Sequence, residues 1–316
     1  MADALSPGGG PGQVRPRVTA VVATRDRVEL LRRAVASIVS QRYDGDVECL
    51  VVFDRSEPID LRIQPPAGRS VRVLRNARTP GLAGARNTGI CDATGDFVAF
   101  CDDDDEWLPD KLEAQIGALR SSPSSDFVAS GIQIVSEGRA VVRVPGADRV
   151  TFDDLLRSRM QEVHPSSFLV RRQAVLGTIG LVDEQIPSSY GEDYEWMLRA
   201  ARTAPILVVR RPLVRVHWHR SSWFQERWNA IVESVGYLLE RYPEFEREPR
   251  GFARLQGRLA FAHAALGNRD AAREHARRSL AANPLERRAY LAYAVSTGVV
   301  PAGMLVRVAN RTGRGI

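Results

Sequence analysis

This chain has little of several residue types on which whole classes of function depend. It has three cysteines in 316 residues (Cys49, Cys91 and Cys101), far apart within apolar segments, which argues against a disulfide framework and a cysteine zinc site. No segment approaches the roughly 18 consecutive apolar residues of a membrane-spanning helix. Lys111 is the only lysine, so arginine carries nearly all the positive charge. We expect a cytoplasmic protein in a reducing compartment.

Two nucleotide-binding motifs are also missing. No GxGxxG follows a predicted strand, which argues against a dinucleotide-dependent dehydrogenase. No glycine-rich phosphate loop with a paired Arg and Lys follows the first strand, which argues against a sugar nucleotidyltransferase. Residues 1–16 are rich in Gly and Pro and lack the apolar centre of a signal peptide, so we expect a disordered tail there.

The positive charge is concentrated at the C-terminal end. Residues 241–316 contain 14 arginines and 6 acidic residues, a local charge of +8 in a chain of net charge +6. The preceding 240 residues are therefore slightly acidic. Solvated helix faces explain such a segment best, while peripheral contact with an anionic membrane surface or an acidic partner stays open. We expect no nucleic-acid partner.

Apolar runs and helical spacing alternate along the first hundred residues. The pattern predicts strands over 17–23, 47–53, 71–74 and 96–101, and helices over 28–41 and 83–93. Alternation with short connections is typical of a parallel sheet covered by helices on both faces. Polar residues follow the strands that end near 23, 53 and 101, so we expect them to meet along one edge of the sheet.

The rest of the chain is less regular at first and then helical. We predict a strand pair over 127–144, a helix over 152–160, a helix from Gly191, and extended segments over 206–209 and 213–219. From about 221 the pattern is helical, so we divide the chain into an α/β domain, 17–222, and a helical subdomain, 223–316. Residues 260–284 resemble a single tetratricopeptide repeat. We interpret them as a helical hairpin packed on the α/β domain; a peptide-docking module is the alternative.

Five acidic residues in a row follow the strand predicted over 96–101. Residues 102–106 place their carboxylates where ligands bind in open α/β sheets. Crowded carboxylates repel one another and need a cation, and oxygen ligands suit Mg²⁺ or Mn²⁺. The alternative is a solvated acidic loop before a helix with Pro109 in its first turn.

Several motifs, in this order and spacing, resemble a family 2 glycosyltransferase of the GT-A fold. The resemblance covers 17 to about 222 and excludes the helical tail. It is carried by residues 24–27, Asp54, the run 81–90 (GLAGARNTGI), the DXD motif 102–104, Glu192-Asp193 and the segment 219–222. A family 2 enzyme transfers a sugar from a nucleotide diphosphate donor with inversion, so the resemblance implies that activity.

The resemblance also assigns roles to individual residues. The nucleotide sugar, a UDP-sugar by expectation, would be bound by seven residues: Thr24, Arg25, Arg27, Asp54, Arg86, Asp102 and Asp103. A Mn²⁺ or Mg²⁺ ion would be ligated by Asp104, Asp102 and His219, with His217 a competing candidate. Asp193 would be the general base, and Glu192 and His164 would lie on the acceptor side.

The acceptor itself is not indicated. A glycan, a lipid-linked sugar and a small molecule all fit, because no distinctive motif occurs in 126–190. A second interpretation belongs to another class: a degenerate transferase domain used as a scaffold, with the helical tail binding a partner. The intact set of Asp102, Asp104 and Asp193 argues against it.

Overall fold

The computed structural model describes residues 15–136, 138–218, 228–298 and 300–311. Ten strands form one sheet: β1 (Val18–Thr24), β2 (Val47–Phe53), β3 (Arg69–Arg75), β4 (Phe97–Phe100), β5 (Glu106–Trp107), β6 (Phe127–Ser136), β7 (Arg139–Arg143), β8 (Arg149–Val150), β9 (Leu169–Arg171) and β10 (Ile206–His217). The helices are α1 (Val28–Val39), α2 (Leu82–Asp92), α3 (Lys111–Arg120), α4 (Phe152–Arg157), α5 (Arg172–Leu176), α6 (Glu192–Thr203), α7 (Trp228–Arg241), α8 (Pro249–Ala265), α9 (Arg269–Ala282), α10 (Arg287–Ser296) and α11 (Ala302–Arg311).

The sheet is parallel in its first half. Its order is β3-β2-β1-β4-β9-β6-β10-β5, with β7 beside β6 and β8 beside β10. Strands β3, β2, β1 and β4 pair in parallel, and β9 inserts antiparallel between β4 and β6. The carboxyl ends of β1, β2 and β4 therefore lie along one edge, as the polar clusters after these strands predict.

Both faces of the sheet are covered. All seven residues of β2 are buried, as expected for a strand with helices on each side. In β1, Val21 packs into the core on one face, while Ala20 and Val22 pack on the other. This follows from the alternation of side chains along a strand. The predicted α/β class is confirmed.

The C-terminal helices α7 and α8 share a core with the sheet. Leu238 of α7, Leu255 of α8 and Phe245 between these helices belong to the same buried cluster as Val21 of β1. Gly251 in α8 lies so close to α4 that a Cβ atom there would stand 1.8 Å from the carbonyl oxygen of Leu156. The predicted boundary at residue 222 lies within 219–227, outside the described residues, and stays a prediction.

Helices α8, α9 and α10 form a further core of their own. Helices α8 and α9 are connected by a short turn in which Gly267 has a φ of +81°. Ala260 and Ala272, two positions of the tetratricopeptide-like pattern, are buried between these helices and α10. The part of the chain with described coordinates contains no helix with the length and apolar content needed to cross a membrane.

The substitution Phe245→Ala tests how much the core shared by the sheet and the C-terminal helices contributes to the stability of the protein. Phe245 is fully buried, so Phe245→Ala should lower the free energy of unfolding by about 3–5 kcal/mol. Leu285 is 84% exposed, and Leu285→Ala should change it by less than about 0.5 kcal/mol. Urea denaturation measures both. If both substitutions changed the free energy of unfolding by the same small amount, the core shared by the sheet and the C-terminal segment would not stabilise the protein.

Candidate active site

The acidic run alternates between buried and accessible carboxylates. Asp103 and Asp105 are buried, whereas Asp102 and Asp104 have side chains 27% and 22% exposed. The run leaves β4 at the sheet edge in a tight turn, in which the backbone N–H of Asp105 donates to the carbonyl oxygen of Asp102 at 3.1 Å. Asp102 and Asp104 are therefore the members of the DXD pattern that a ligand can reach, whereas Asp103, which was also predicted to bind the donor, is buried.

The carboxylate of Asp103 forms hydrogen bonds within the protein. The Thr24 hydroxyl donates to its carboxylate at 2.6 Å, and Arg27 donates from Nε at 3.2 Å and from Nη2. Burial raises the pKa of Asp103 to about 6, against the lowering effects of the Thr24 bond and the Arg27 charge. Arg27 also donates to Asp104 at 2.7 Å. The loops after β1 and β4 are thus joined through one guanidinium group.

Asp105 is the centre of a second network. The Ser166 hydroxyl donates to it at 2.5 Å and the backbone N–H of His217 at 3.3 Å. Burial and the charge of Asp102 raise the pKa of Asp105 well above its ordinary value. The Nδ1 atom of His164 lies 3.3 Å from the Asp105 carboxylate.

Three of these groups lie close enough to share one ion. Ligand atoms of Asp102, Asp105 and His164 lie within 4.8 Å of one another. Two carboxylates and an imidazole suit Mn²⁺, and burial lowers the pKa of His164, which favours the neutral form that a metal needs. Of the predicted ligands, Asp102 belongs to this cluster, whereas Asp104 lies outside it and pairs with Arg27.

Arg86 connects the acidic run to the start of α6. It is buried in α2 and donates to Asp102 at 2.8 Å and to Glu192. Burial and the neighbouring Asp193 raise the pKa of Glu192 to about 7, although the Arg86 charge acts in the opposite direction. Predicted donor-side and acceptor-side residues are therefore separated by a single guanidinium group.

Asp193 is held by an arginine that no motif indicated. Nη2 of Arg159 lies 3.0 Å from both carboxylate oxygens of Asp193. Burial would raise the pKa of Asp193, but the charges of Arg159 and Arg86 outweigh it and lower the pKa. Asp193 is consequently ionised at neutral pH, the state in which a carboxylate accepts a proton.

The remaining predicted residues lie around this centre. Asp54 accepts hydrogen bonds from Asn76 at 2.8 Å and from the backbone N–H of Gly81 at 3.0 Å. Its bonds therefore order the turn before α2. Arg25 is half-exposed beside Asp26. His219 lies outside the described residues, and the ring of His217 is 2.6 Å from Glu106.

Glu184 fixes α2 and the turn before it through hydrogen bonds, and no sequence pattern indicated this residue. It accepts from Asn87 of α2 at 2.7 Å and from the backbone N–H of Thr79 at 3.2 Å, and it pairs with Arg78. These hydrogen bonds outweigh the effect of burial and lower the pKa of Glu184 to about 2.

Glu184→Gln should show this support as a pH-dependent loss of stability. A carboxyl with a depressed folded pKa stabilises the protein above its unfolded pKa of about 4.5, and that contribution disappears as pH falls toward 2. We expect a loss of about 1–3 kcal/mol at pH 7, and a smaller difference at pH 3. Denaturant unfolding at both pH values measures it. The exposed Glu57→Gln is the control, and a pH-independent difference would contradict the assignment.

The sequence matches the family described as Glycosyl transferase family 2 over residues 19–176, half of the chain. The chain belongs to this family, as the motifs predict. It is 28% identical over 142 residues, 45% of this chain, to the Escherichia coli UDP-Glc:alpha-D-GlcNAc-diphosphoundecaprenol beta-1,3-glucosyltransferase WfgD. It is 31% identical over 216 residues, 65% of the chain, to the Mycobacterium tuberculosis pre-mycofactocin glycosyltransferase. The chain spans about half the length of these relatives, 55% and 43%.

Solved structures share the whole architecture. S. aureus TarS 1–349 in complex with UDP-GlcNAc has a TM-score of 0.58 and 17% identity, over 94% of this chain and 92% of that chain. Mannosyltransferase PcManGT from Pyrobaculum calidifontis, in complex with GDP-Man and Mn²⁺, has a TM-score of 0.52 and 19% identity, over 95% and 81%. The expected GT-A fold is confirmed, and the likeness extends into the C-terminal helices.

Proposed function

We propose that the protein transfers a sugar from a UDP-sugar to an acceptor hydroxyl, with inversion and with help from a divalent metal ion. The observation that carries this proposal is the buried contact of Arg86 with both Asp102 and Glu192. It brings the acidic run, which faces the leaving diphosphate in this proposal, next to the base Asp193. A transferase needs donor phosphate and acceptor hydroxyl on opposite sides of one anomeric carbon, and this contact supplies that proximity.

The donor side is assigned to the edge where β1, β2 and β4 end. Thr24, Arg25, Arg27 and Asp54 would surround the nucleotide base and ribose, with Asp102 and Asp103. Asp54 suits this role because a carboxylate accepts hydrogen bonds from a uracil edge or a ribose hydroxyl. Arg86 would face the diphosphate with its fork of donors. WfgD is named as acting on UDP-Glc and TarS binds UDP-GlcNAc, which supports uridine as the nucleoside.

A bound Mn²⁺ or Mg²⁺ ion would offset the negative charge that develops on the departing diphosphate. Two ligand sets fit the residues. Asp102 with Asp104 follows the DXD pattern, and Asp102 with Asp105 and His164 follows the proximity of their ligand atoms. PcManGT binds Mn²⁺ with its donor, which supports a metal here. Asp102 is common to both sets.

Asp193 is assigned as the general base. It would accept the proton of the acceptor hydroxyl as that oxygen forms a bond to the anomeric carbon and the carbon–oxygen bond to the diphosphate breaks. One such displacement inverts the anomeric centre. The product name of WfgD, a β-linkage from UDP-Glc, agrees with inversion. Glu192, which is buried, and His164, whose side chain is 27% exposed, would line the acceptor side.

A thermal-shift screen of nucleotide sugars, with and without Mn²⁺, tests the donor. We expect UDP-sugars to stabilise the protein in a metal-dependent way, since a ligand at 100 times its Kd adds about 2.7 kcal/mol. Hydrolysis of the stabilising donor then separates an enzyme from a degenerate scaffold. No shift with any nucleotide sugar would contradict the proposal, and binding without any turnover would favour the scaffold.

A further inference from the structure

A cluster of arginines surrounds a small pocket on the far side of Asp193. The pocket lies between the α6 segment of the transferase core and the C-terminal helices α7 and α8. Arg159, Arg254 and Arg258 line it, together with Tyr190 and Tyr194. Arg159 also binds Asp193, so one guanidinium group separates the pocket from the proposed base.

Asp193 balances the charge of Arg159, but no described carboxylate balances the other two arginines of this pocket. Within the described ranges, neither Arg254 nor Arg258 forms an ion pair with a carboxylate. Arg254 donates a hydrogen bond to the hydroxyl of Tyr194, and Arg258 donates one to the hydroxyl of Tyr190. The Nε atom of Arg254 is buried and makes no hydrogen bond to any described residue. The three guanidinium groups are partly buried. Partly desolvated charges without counter-charges cost stability, so a fold that keeps them together has a use for an anion.

Burial and several neighbouring charges act on Arg258. Burial lowers the pKa of Arg258, and the charges of Arg159, Arg288 and Arg254 lower it further, while Tyr190 acts in the opposite direction. The carboxylates nearest to the cluster are already engaged: Asp193 binds Arg159, and Glu286 binds Arg288. An incoming anion would therefore meet three guanidinium groups and no free carboxylate among the described neighbours.

The volume of the pocket and the number of its hydrogen-bond donors indicate which anion it could bind. Its free volume is about 30 Å³, more than the roughly 10–15 Å³ that one water requires but too little for a sugar ring. A carboxylate has two oxygens to share among three guanidinium groups, whereas a phosphate group has at least three and can give each guanidinium group an oxygen of its own. A single phosphate group fits these limits.

We propose that Arg159, Arg254 and Arg258 bind a phosphate group of the acceptor, next to the hydroxyl that Asp193 deprotonates. This assignment rests on the proposed transferase function and narrows its acceptor to a phosphate-bearing molecule. It also gives the C-terminal helices a role in the reaction, because α8 supplies two of the three arginines. The pocket would anchor the acceptor, so these residues position the substrate and do not take part in proton transfer.

The test uses ³¹P NMR titrations of the full chain saturated with UDP and Mg²⁺, which fill the donor side. Inorganic phosphate and methyl phosphate are the probes, and both should bind in the presence of UDP. Binding that disappears when UDP is added would assign the pocket to the donor and overturn the proposal. Binding of inorganic phosphate without methyl phosphate would make it a free-phosphate site, which also overturns it.

Substitutions assign the binding to the cluster. Arg254→Gln and Arg258→Gln should each weaken phosphate binding by about tenfold or more, the size of a lost charge-assisted hydrogen bond. Arg250, exposed on the same helix, is the matched control, and Arg250→Gln should leave the affinity unchanged. The phosphate affinity of Arg258→Lys should lie between those of wild type and Arg258→Gln, because lysine keeps the positive charge but lacks the paired N–H donors of a guanidinium group. Equal affinities across the series would refute the site.

Measurements of melting temperature and of UDP-sugar hydrolysis distinguish a failure of the proposed phosphate pocket from a failure of the proposed transferase function. Removal of a charge from a like-charged cluster relieves repulsion, so the melting temperature of Arg258→Gln should equal or exceed that of wild type. A clear drop would show a structural role and contradict the anion site. Wild-type protein that hydrolyses UDP-sugar without binding phosphate would refute the pocket alone. Phosphate binding without any nucleotide-sugar turnover would refute the transferase function, and with it an acceptor site.

Discussion

Asp193→Asn should lower kcat by about 10²–10⁴-fold and leave the KM for the donor nearly unchanged. The amide keeps the shape of the carboxylate but cannot accept the acceptor proton in the transition state. Arg159 could still donate a hydrogen bond to the carbonyl oxygen of that amide. Initial rates of nucleotide release, with donor and acceptor varied separately, measure both constants.

Glu192→Gln is the matched control for this substitution. It removes a carboxylate from the adjacent position of the same helix, and its carbonyl oxygen can still accept from Arg86. The loss of kcat should be much smaller, since only one of two neighbours can face the hydroxyl. Near-normal kcat in Asp193→Asn, or an α-linked product from an α-linked donor, would remove the inverting mechanism proposed above.

The second large effect should come from the metal-binding carboxylates. Asp102 belongs to both ligand sets, so Asp102→Asn should abolish metal-dependent binding of UDP and reduce turnover by at least about 10²-fold. A metal ion on the leaving diphosphate supplies several kcal/mol of transition-state stabilisation, which sets this scale. Calorimetric titration of UDP with and without Mn²⁺ measures the binding, and circular dichroism checks that the fold persists.

Asp104→Ala and Asp105→Asn then distinguish the two ligand sets. Loss of metal-dependent affinity in Asp104→Ala supports the DXD pair, which requires Arg27 to release this carboxylate. Loss in Asp105→Asn supports the cluster with His164. Asp110→Asn, a carboxylate lost shortly after the acidic run, should leave the affinity unchanged. Unaltered affinity in Asp102→Asn would contradict a metal at this edge of the sheet.

The first four strands and the two helices between them could be predicted because they depend on local patterns. The run 47–53 is apolar throughout and bounded by polar residues, and it forms a strand over the same seven residues. The helix starting at Val28 buries Leu31, Ala34, Val35 and Ile38, the positions indicated by helical spacing. Both predictions needed only the alternation of polar and apolar residues, which a linear sequence displays directly.

Contacts between distant segments could not be predicted in the same way. Arg159 follows a short helix and belongs to no motif, yet it pairs with Asp193, 34 positions later. Glu184 joins α2 through Asn87, 97 positions earlier. Such pairs depend on how loops of different length return to the sheet, and neither residue carries a local signal of its partner.

The amino-acid sequence by itself determined the α/β class, the family, and the set of acidic and basic residues available for chemistry. These follow from periodicity and from motif order, both of which are properties of the linear chain. Only the tertiary structure decided which carboxylates are accessible, that Asp105 and His164 lie beside Asp102, and that α8 brings arginines next to the α6 segment. The reason is physical: burial and charge compensation are set by neighbours in space, and neighbours in space exist only after the chain has folded.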